Sequence, residues 1–340
     1  MLEENPYYDI KAISNSSLSK INSTQSGHPK KYKAFMNGEE EKLNTLSLER
    51  GKLLHKWVEN SDAFEVSEIE APSEMGIIWV KEVLRLEELN KDIIITEENL
   101  DSIFNKLILI AKDKLDIYNN IKKEFTIIEK FKKELLEYYT FLKYPSNKIA
   151  LTKTTKNILF NCYQSLYTHP IANSLLFEQL EEVQVFNEQA IYFQIENVNC
   201  KSLLDRVIIN HNNKTVKIID LKTTSKPIAN YPNEFAYYHT YRQLALYGKA
   251  IIELLKQLEY KDIEDYEISY HIVAVETIGQ FTTQVFDIDI EWINKGIAEY
   301  LELIRLVQWH TSTNCWELTK DEYFGSNILK YDEFKYLKNQ

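Results

Sequence analysis

The chain has 340 residues, 44% of them hydrophobic, and a formal net charge of -11. That length fits one large domain or two smaller ones with a sizeable core, and the acidic balance excludes a protein coated in basic surface, though a local basic groove or divalent metals would still let it hold a polyanion. No stretch approaches the roughly 18 uninterrupted apolar residues of a membrane helix, and the opening MLEENPYYDI has neither a basic segment nor an apolar core for export, so a cytoplasmic protein without a membrane partner is expected.

In chain order, ISNSSLSKI (13–21) reads as a short helix capped by Asn15 or Ser16. GHPKKYKAFMNG (27–38) reads as a proline-started, basic and aromatic helix ending at Gly38. SLERGKLLHKWVEN (47–60) is a third helix with Leu53, Leu54, Trp57 and Val58 on its apolar side. From Ser73 to Leu176 the spacing of Leu, Ile, Glu and Lys is helical, with breaks at Pro72, Pro145 and Pro170. Past Glu181 the texture changes. VQVFNEQAIYFQI (183–195), SLLDRVIIN (202–210) and TVKIIDLKT (215–223) form a three-strand meander joined by the turns ENVN and HNNK. A long amphipathic helix over 233–258 follows, then strands over 267–277 and 282–288, and a helix over about 290–308. Residues from Thr311 onward read as loop with a short terminal helix. A helix between strands that share a sheet predicts a mixed α/β core. The expected organisation is N-terminal helices over 1–72, a helical insertion over 73–180, the sheet core over 181–310 and a tail over 311–340.

The chemistry concentrates in VKIIDLKTTSK (216–226). Strand alternation sends Asp220 and Lys222 to one side and Leu221 into the opposite core, so the strand ends by offering an acid and an amine together. The D-x-K or E-x-K spacing alone discriminates little, since Glu40-Glu41-Lys42 matches it in a loop. Asp205 lies inside the apolar strand LLDRVII, where a lone carboxylate is costly to bury. Either Arg206 or another base pairs with it, or it converges with Asp220 on a cation. Two close carboxylates repel without one, and Mg2+ or Mn2+ suits an all-oxygen pair. Gln243 and Tyr247, four apart, share a helix face, either as site residues or as ordinary surface. His55 is structural or a ligand, and Glu188 has no distinguishing context of its own. Cys162, Cys200 and Cys315 are far apart with no C-x-x-C spacing, which leaves them as packing residues rather than a disulfide or iron–sulfur framework.

The order Gly51-x-x-x-His55, Glu188, Leu204-Asp205-Arg206-Val207, Ile219-Asp220-Leu221-Lys222-Thr223 and Gln243-Leu244-x-x-Tyr247 resembles the motif series of the RecB-like branch of the PD-(D/E)XK nuclease superfamily. Within that branch the chain is most similar to phage and prophage exonucleases of the RecE (exodeoxyribonuclease VIII) type. The resemblance covers residues 13–60 and 182–250 and also includes SNSSLSKI and HPKKYKAF. It implies an α/β (α+β) restriction-endonuclease-like core, a central mixed sheet flanked by helices with a large helical insertion. It also implies that His55, Asp205, Asp220 and the Leu221 carbonyl ligate Mg2+ or Mn2+. Lys222 would orient the attacking water and stabilise the transition state, Glu188 would add an acid, and Gln243 and Tyr247 would position the strand or Lys222. The implied activity is a metal-dependent exodeoxyribonuclease resecting duplex DNA ends for phage-type recombination, with a single-strand annealing protein and a homo-oligomeric ring as expected partners. Relatives with an iron–sulfur cluster carry one upstream and three downstream cysteines. Here STQSGHPKKY stands upstream and only Cys315 downstream, so no such cluster is expected, and no G-x-x-x-x-G-K-[ST] motor signature is present. A non-catalytic DNA-binding or scaffolding subunit on the same fold is the competing reading, and Lys30, Lys31 and Lys33 with Tyr32 and Phe35 are either phosphate and base contacts or a solvated helix face.

Overall fold

A computed structural model describes residues 6–39, 45–90, 97–144, 148–178, 183–260 and 262–325. The Glu40-Glu41-Lys42 match and the tail from residue 326 lie outside them. The chain divides into two compact units, one built on Thr45–Ser165 and one on the segments up to Asn44 and from Leu166 onward.

The second unit opens with α1 (Asn15–Ile21), capped by Ser14 rather than by a residue further in, because Ser14 and Ser17 satisfy each other's backbone N–H in a capping box. Next comes α2 (Pro29–Asn37), which starts on Pro29 and stops at Gly38, whose φ of 76° continues the chain in a left-handed conformation that glycine adopts without strain. Lys30 pairs with Glu317, Lys31 donates to the Ser26 carbonyl, and Lys33 lies over the Trp316 ring. The basic face of α2 is thus engaged by its own unit.

The first unit holds α3 (Leu46–Glu59), β1 (Phe64–Val66), α4 (Glu74–Leu89), α5 (Glu97–Lys114), α6 (Glu124–Lys143), β2 (Ile149–Leu151) and most of α7 (Lys153–Thr168). Its core is Trp79, Val80, Val83, Ile108 and Phe131, with the Trp79 indole N–H donating to the Ile108 carbonyl at 3.1 Å. The parallel β1–β2 pair was not expected; three residues are too few to display an alternation.

After α8 (Pro170–Leu176), the second unit builds a five-stranded sheet from β3 (Gln184–Ile195), β4 (Val198–Asn210), β5 (Thr215–Thr224), β6 (Glu267–Glu276) and β7 (Thr283–Asp287), in that order. All neighbours are antiparallel except β5 and β6. Their parallel pairing requires a crossover, supplied by α9 (Tyr231–Tyr237) and α10 (Thr240–Gln257). A mixed α/β architecture is therefore what the chain adopts. β4 starts earlier than ENVN suggested, because Glu196 and Asn197 both take positive φ (50° and 65°) and make a tight two-residue hairpin turn. The single helix expected over 233–258 is instead two, broken where His239 takes a φ of 53° with its imidazole tied to Glu299. α11 (Ile290–Thr313) runs further than expected and lies against α10, and α12 (Lys320–Tyr323) is the short final helix among the described residues.

Candidate active site

The site begins with a break in strand alternation. On β3 the core-facing side chains are Ile191, Phe193 and Ile195 at odd positions, but Phe186 beyond them is even. On β4 they are Cys200 and Leu204, then Val207 and Ile209. Regular strands keep one parity, so both chains change face between these positions. The change falls at Glu188 and Asp205, flanked by the pairs Asn187–Arg206 and Gln189–Leu204. Glu188 takes a φ of 47°, strained for a residue with a side chain. The kink brings a carboxylate oxygen of Glu188 and one of Asp205 within 4.8 Å of each other.

The β4–β5 ladder runs from Asn210–Thr215 to Arg206–Ile219 and ends there, while β5 continues beside β6 to Thr224–Glu276. Where β4 departs, the Asp205 side chain takes over a backbone role: the Leu221 N–H donates to Asp205 Oδ2 at 2.9 Å. N–H and C=O of one strand residue point to the same edge, so the Leu221 carbonyl also faces the side from which β4 has withdrawn. Arg206 is directed elsewhere, with Nε donating to the Leu175 carbonyl at 2.8 Å and Nη1 to Asn187 Oδ1 at 2.9 Å.

Asp220 continues the inward face of Val216 and Ile218 and is fully buried. Lys222 Nζ lies 2.7 Å from its Oδ2, and the Lys222 side chain keeps 29% of its exposure, so the pair runs from the core to the surface. Leu221 is buried on the opposite face. From α10, Gln243 Nε2 approaches Asp220 Oδ1 at 3.4 Å and donates to the Tyr247 hydroxyl. Burial by itself would lower the Lys222 ammonium, but the Asp220 and Asp205 carboxylates outweigh it and hold the group above the ordinary lysine value. The Tyr247 phenol is pushed well up by burial first and then by Asp220 and Asp205. At neutral pH both are therefore proton donors.

Glu188, Asp205, Asp220, the Leu221 backbone, Lys222, Gln243 and Tyr247 thus all lie around the end of the β4–β5 ladder, in the sheet unit. His55 is on α3 in the other unit, half-buried. Two neighbours were missed in the sequence. Tyr231 is buried at the start of α9, its phenol raised by burial and then by Asp220. The phenol of Tyr8 is raised by burial and then by Glu188 and Asp205. Neither sits in a motif, and only the crossover and the N-terminal turn bring them close. The donors within the sheet unit, two close carboxylates, a third one buried on β5 and a backbone carbonyl, are oxygens, which fits a hard divalent cation.

No protein-family model matches this sequence, and comparison with curated proteins finds no match. Among solved structures the chain is similar in path to a protein of Eubacterium rectale that is assigned, without being established, as an exonuclease; the TM-score is 0.49 at 9% identity, over 97% of this chain and 94% of that one. At that identity the likeness is one of chain path, and the chemistry has to be argued from the residues.

Proposed function

We propose that this chain is a metal-dependent deoxyribonuclease, an exonuclease that resects duplex DNA ends, with the PD-(D/E)XK site of the RecB-like branch. The observation that carries the reading is the Asp220–Lys222 pair, 2.7 Å apart, at the point where β4 leaves β5 and Asp205 binds the Leu221 N–H. An acid and an amine delivered together beside a kinked pair of carboxylates is costly in any protein that does not use it.

Glu188, Asp205, Asp220 and the Leu221 carbonyl are the proposed oxygen ligands, with His55 the nitrogen ligand that the motif series supplies. When bound, Mg2+ or Mn2+ polarises the phosphate and lowers the pKa of a water. The chain's own residues do the rest. Lys222, held charged by Asp220, is a poor proton acceptor; its ammonium orients the attacking water and offsets the negative charge that grows on the phosphate oxygens. Gln243 holds Asp220, and Tyr247, protonated, anchors Gln243. A single-strand annealing partner and a ring of like chains belong to this reading through the family resemblance.

The test is digestion of end-labelled linear and closed circular DNA with Mg2+, Mn2+ or EDTA, beside Lys222→Ala. Metal-dependent loss of linear DNA alone, abolished in the variant, is the expected outcome. DNA bound but uncut under every condition would replace the enzyme with a non-catalytic subunit.

A further inference from the structure

Two tyrosines stand in solvent just beyond this site without a packing role that accounts for them. Tyr237 and Tyr238 keep 74% and 58% of their exposure and meet edge to face, with centroids 5.0 Å apart at 82°. They close α9, the helix that leaves the carboxyl end of β5, which is where ligands gather on parallel strands. The opening residue of α9, Tyr231, is the buried phenol raised by burial and then by Asp220. At about 1.5 Å of rise per residue, Tyr237 lies about 9 Å along the helix from it, a span of two or three nucleotides at about 3.4 Å each.

The junction that carries the pair is rigid by construction. His239, immediately after it, takes a φ of 53°, a strained choice for a residue with a side chain. Its Nδ1 is 2.7 Å from Glu299 Oε1. The same carboxylate accepts from the Tyr241 hydroxyl at 2.7 Å, from Arg242 Nη1 at 2.7 Å and from Asn22 Nδ2 at 2.8 Å. Arg242 is fully buried and also donates to Asn15 Oδ1 and Ser19 Oγ. A buried charged network thus braces a strained turn whose exposed product is two aromatic rings. Beside them is Lys226, half-exposed and tied to Glu234 at 3.0 Å, four residues past Lys222, with its ammonium within electrostatic reach of both phenols.

We infer that Tyr237 and Tyr238, with Lys226, form a stacking platform for the unpaired bases of a single-stranded nucleic-acid end. The inference rests on the nuclease reading for what lies next to the platform. Aromatic faces beside a cation are what single strands bind, largely without regard to sequence, because every base has a π-face. The chain's net charge of -11 also argues for stacking over Coulomb attraction as the main source of affinity.

The experiment uses the full chain in EDTA and a short fluorescein-labelled oligothymidylate, read by anisotropy. Tyr237→Ala/Tyr238→Ala should bind at least about tenfold more weakly, with an unchanged melting temperature. Tyr237→Phe/Tyr238→Phe should restore binding, since stacking needs the ring and not the hydroxyl. Raising salt should weaken wild-type binding with a slope of about one ion or two, far below that of a basic groove. Unchanged affinity in the alanine variant, a loss that phenylalanine fails to restore, or no binding by the wild type would each overturn the platform. Cleavage of linear DNA by the same preparations separates the two readings: cleavage with tyrosine-independent binding overturns the platform alone, and tyrosine-dependent binding without metal-dependent cleavage overturns the nuclease reading alone.

Discussion

At the scale of single residues, the Lys222 ammonium and the Asp220 carboxylate depend on each other, and each loss should be visible in rate. Lys222→Ala is expected to lower DNA cleavage by about 10²–10⁴-fold while far-ultraviolet circular dichroism stays the same; full activity in that variant would remove Lys222 from the mechanism. Leu221→Asp should act on stability instead, since Leu221 is 3% exposed on the opposite face. A loss of roughly 2 kcal/mol or more is expected, read as a lowered denaturation midpoint. The alternation that places Asp220, Leu221 and Lys222 is legible in the sequence because β5 runs without a bulge, in unbroken register with β6 from Thr215 to Thr224. The meeting of Glu188 and Asp205 is not, because both strands change face there and a period-two reading loses the side chains at that step. His310 offers a second kind of residue-scale test. It is fully buried, with Nδ1 facing the Cys315 carbonyl, and burial lowers its pKa, with His28 and Lys320 adding to the effect. The unfolded chain then binds more protons near the ordinary histidine value of about 6.5. His310 should therefore leave stability intact above about pH 7 and erode it as pH falls through that value, by at most about 1.4 kcal/mol per pH unit. The wild-type melting temperature should drop faster between pH 7.5 and 5.5 than that of His310→Gln.

At the scale of elements, α10 is the part whose placement the site depends on, because it presents Gln243 and Tyr247 to β5. Its distance from α11 is set by Gly296: a Cβ there would stand 2.6 Å from the Tyr241 carbonyl oxygen and 2.8 Å from the Ala245 methyl. Backbone cannot yield as a flexible side chain would, so Gly296→Ala should cost about 1–3 kcal/mol and lower activity through the displaced α10. An unaltered urea midpoint would contradict that packing. Helix limits were readable where chemistry marks them, as at Pro29 and Gly38, whereas the cap of α1 falls at Ser14, ahead of the Asn15 or Ser16 expected. The break between α9 and α10 was not, because YYHTY contains neither glycine nor proline. What bends the chain is a contact between His239 and Glu299, 60 residues apart, and long-range contacts leave no local mark.

At the scale of the whole molecule, a net charge of -11 is carried by a chain that gathers Glu188, Asp205 and Asp220 around one end of a sheet. A divalent cation that binds only the folded form should stabilise it, by about 2.7 kcal/mol at a hundredfold excess over Kd. Mg2+ or Mn2+ is accordingly expected to raise the melting temperature of the wild type and to leave that of Asp205→Asn/Asp220→Asn nearly unchanged. Equal responses in the two proteins would place the cation elsewhere. The fold class was legible from the shift in texture near Glu181 and from the helix lying between strands. The division into units built on Thr45–Ser165 and on the flanking segments is a matter of which side chains pack together, and composition does not mark it.

The bond from the Leu221 N–H to Asp205 means that this acid, a proposed ligand, also closes the sheet where β4 departs. Exchanging Asp205 for a residue without an acceptor would strip a strand amide of that bond, and shedding Lys222 would remove the ammonium that lies 2.7 Å from the buried Asp220 carboxylate. In diverged descendants of this fold, a surviving aspartate at the Asp205 position testifies to architecture and is by itself no marker of a working enzyme.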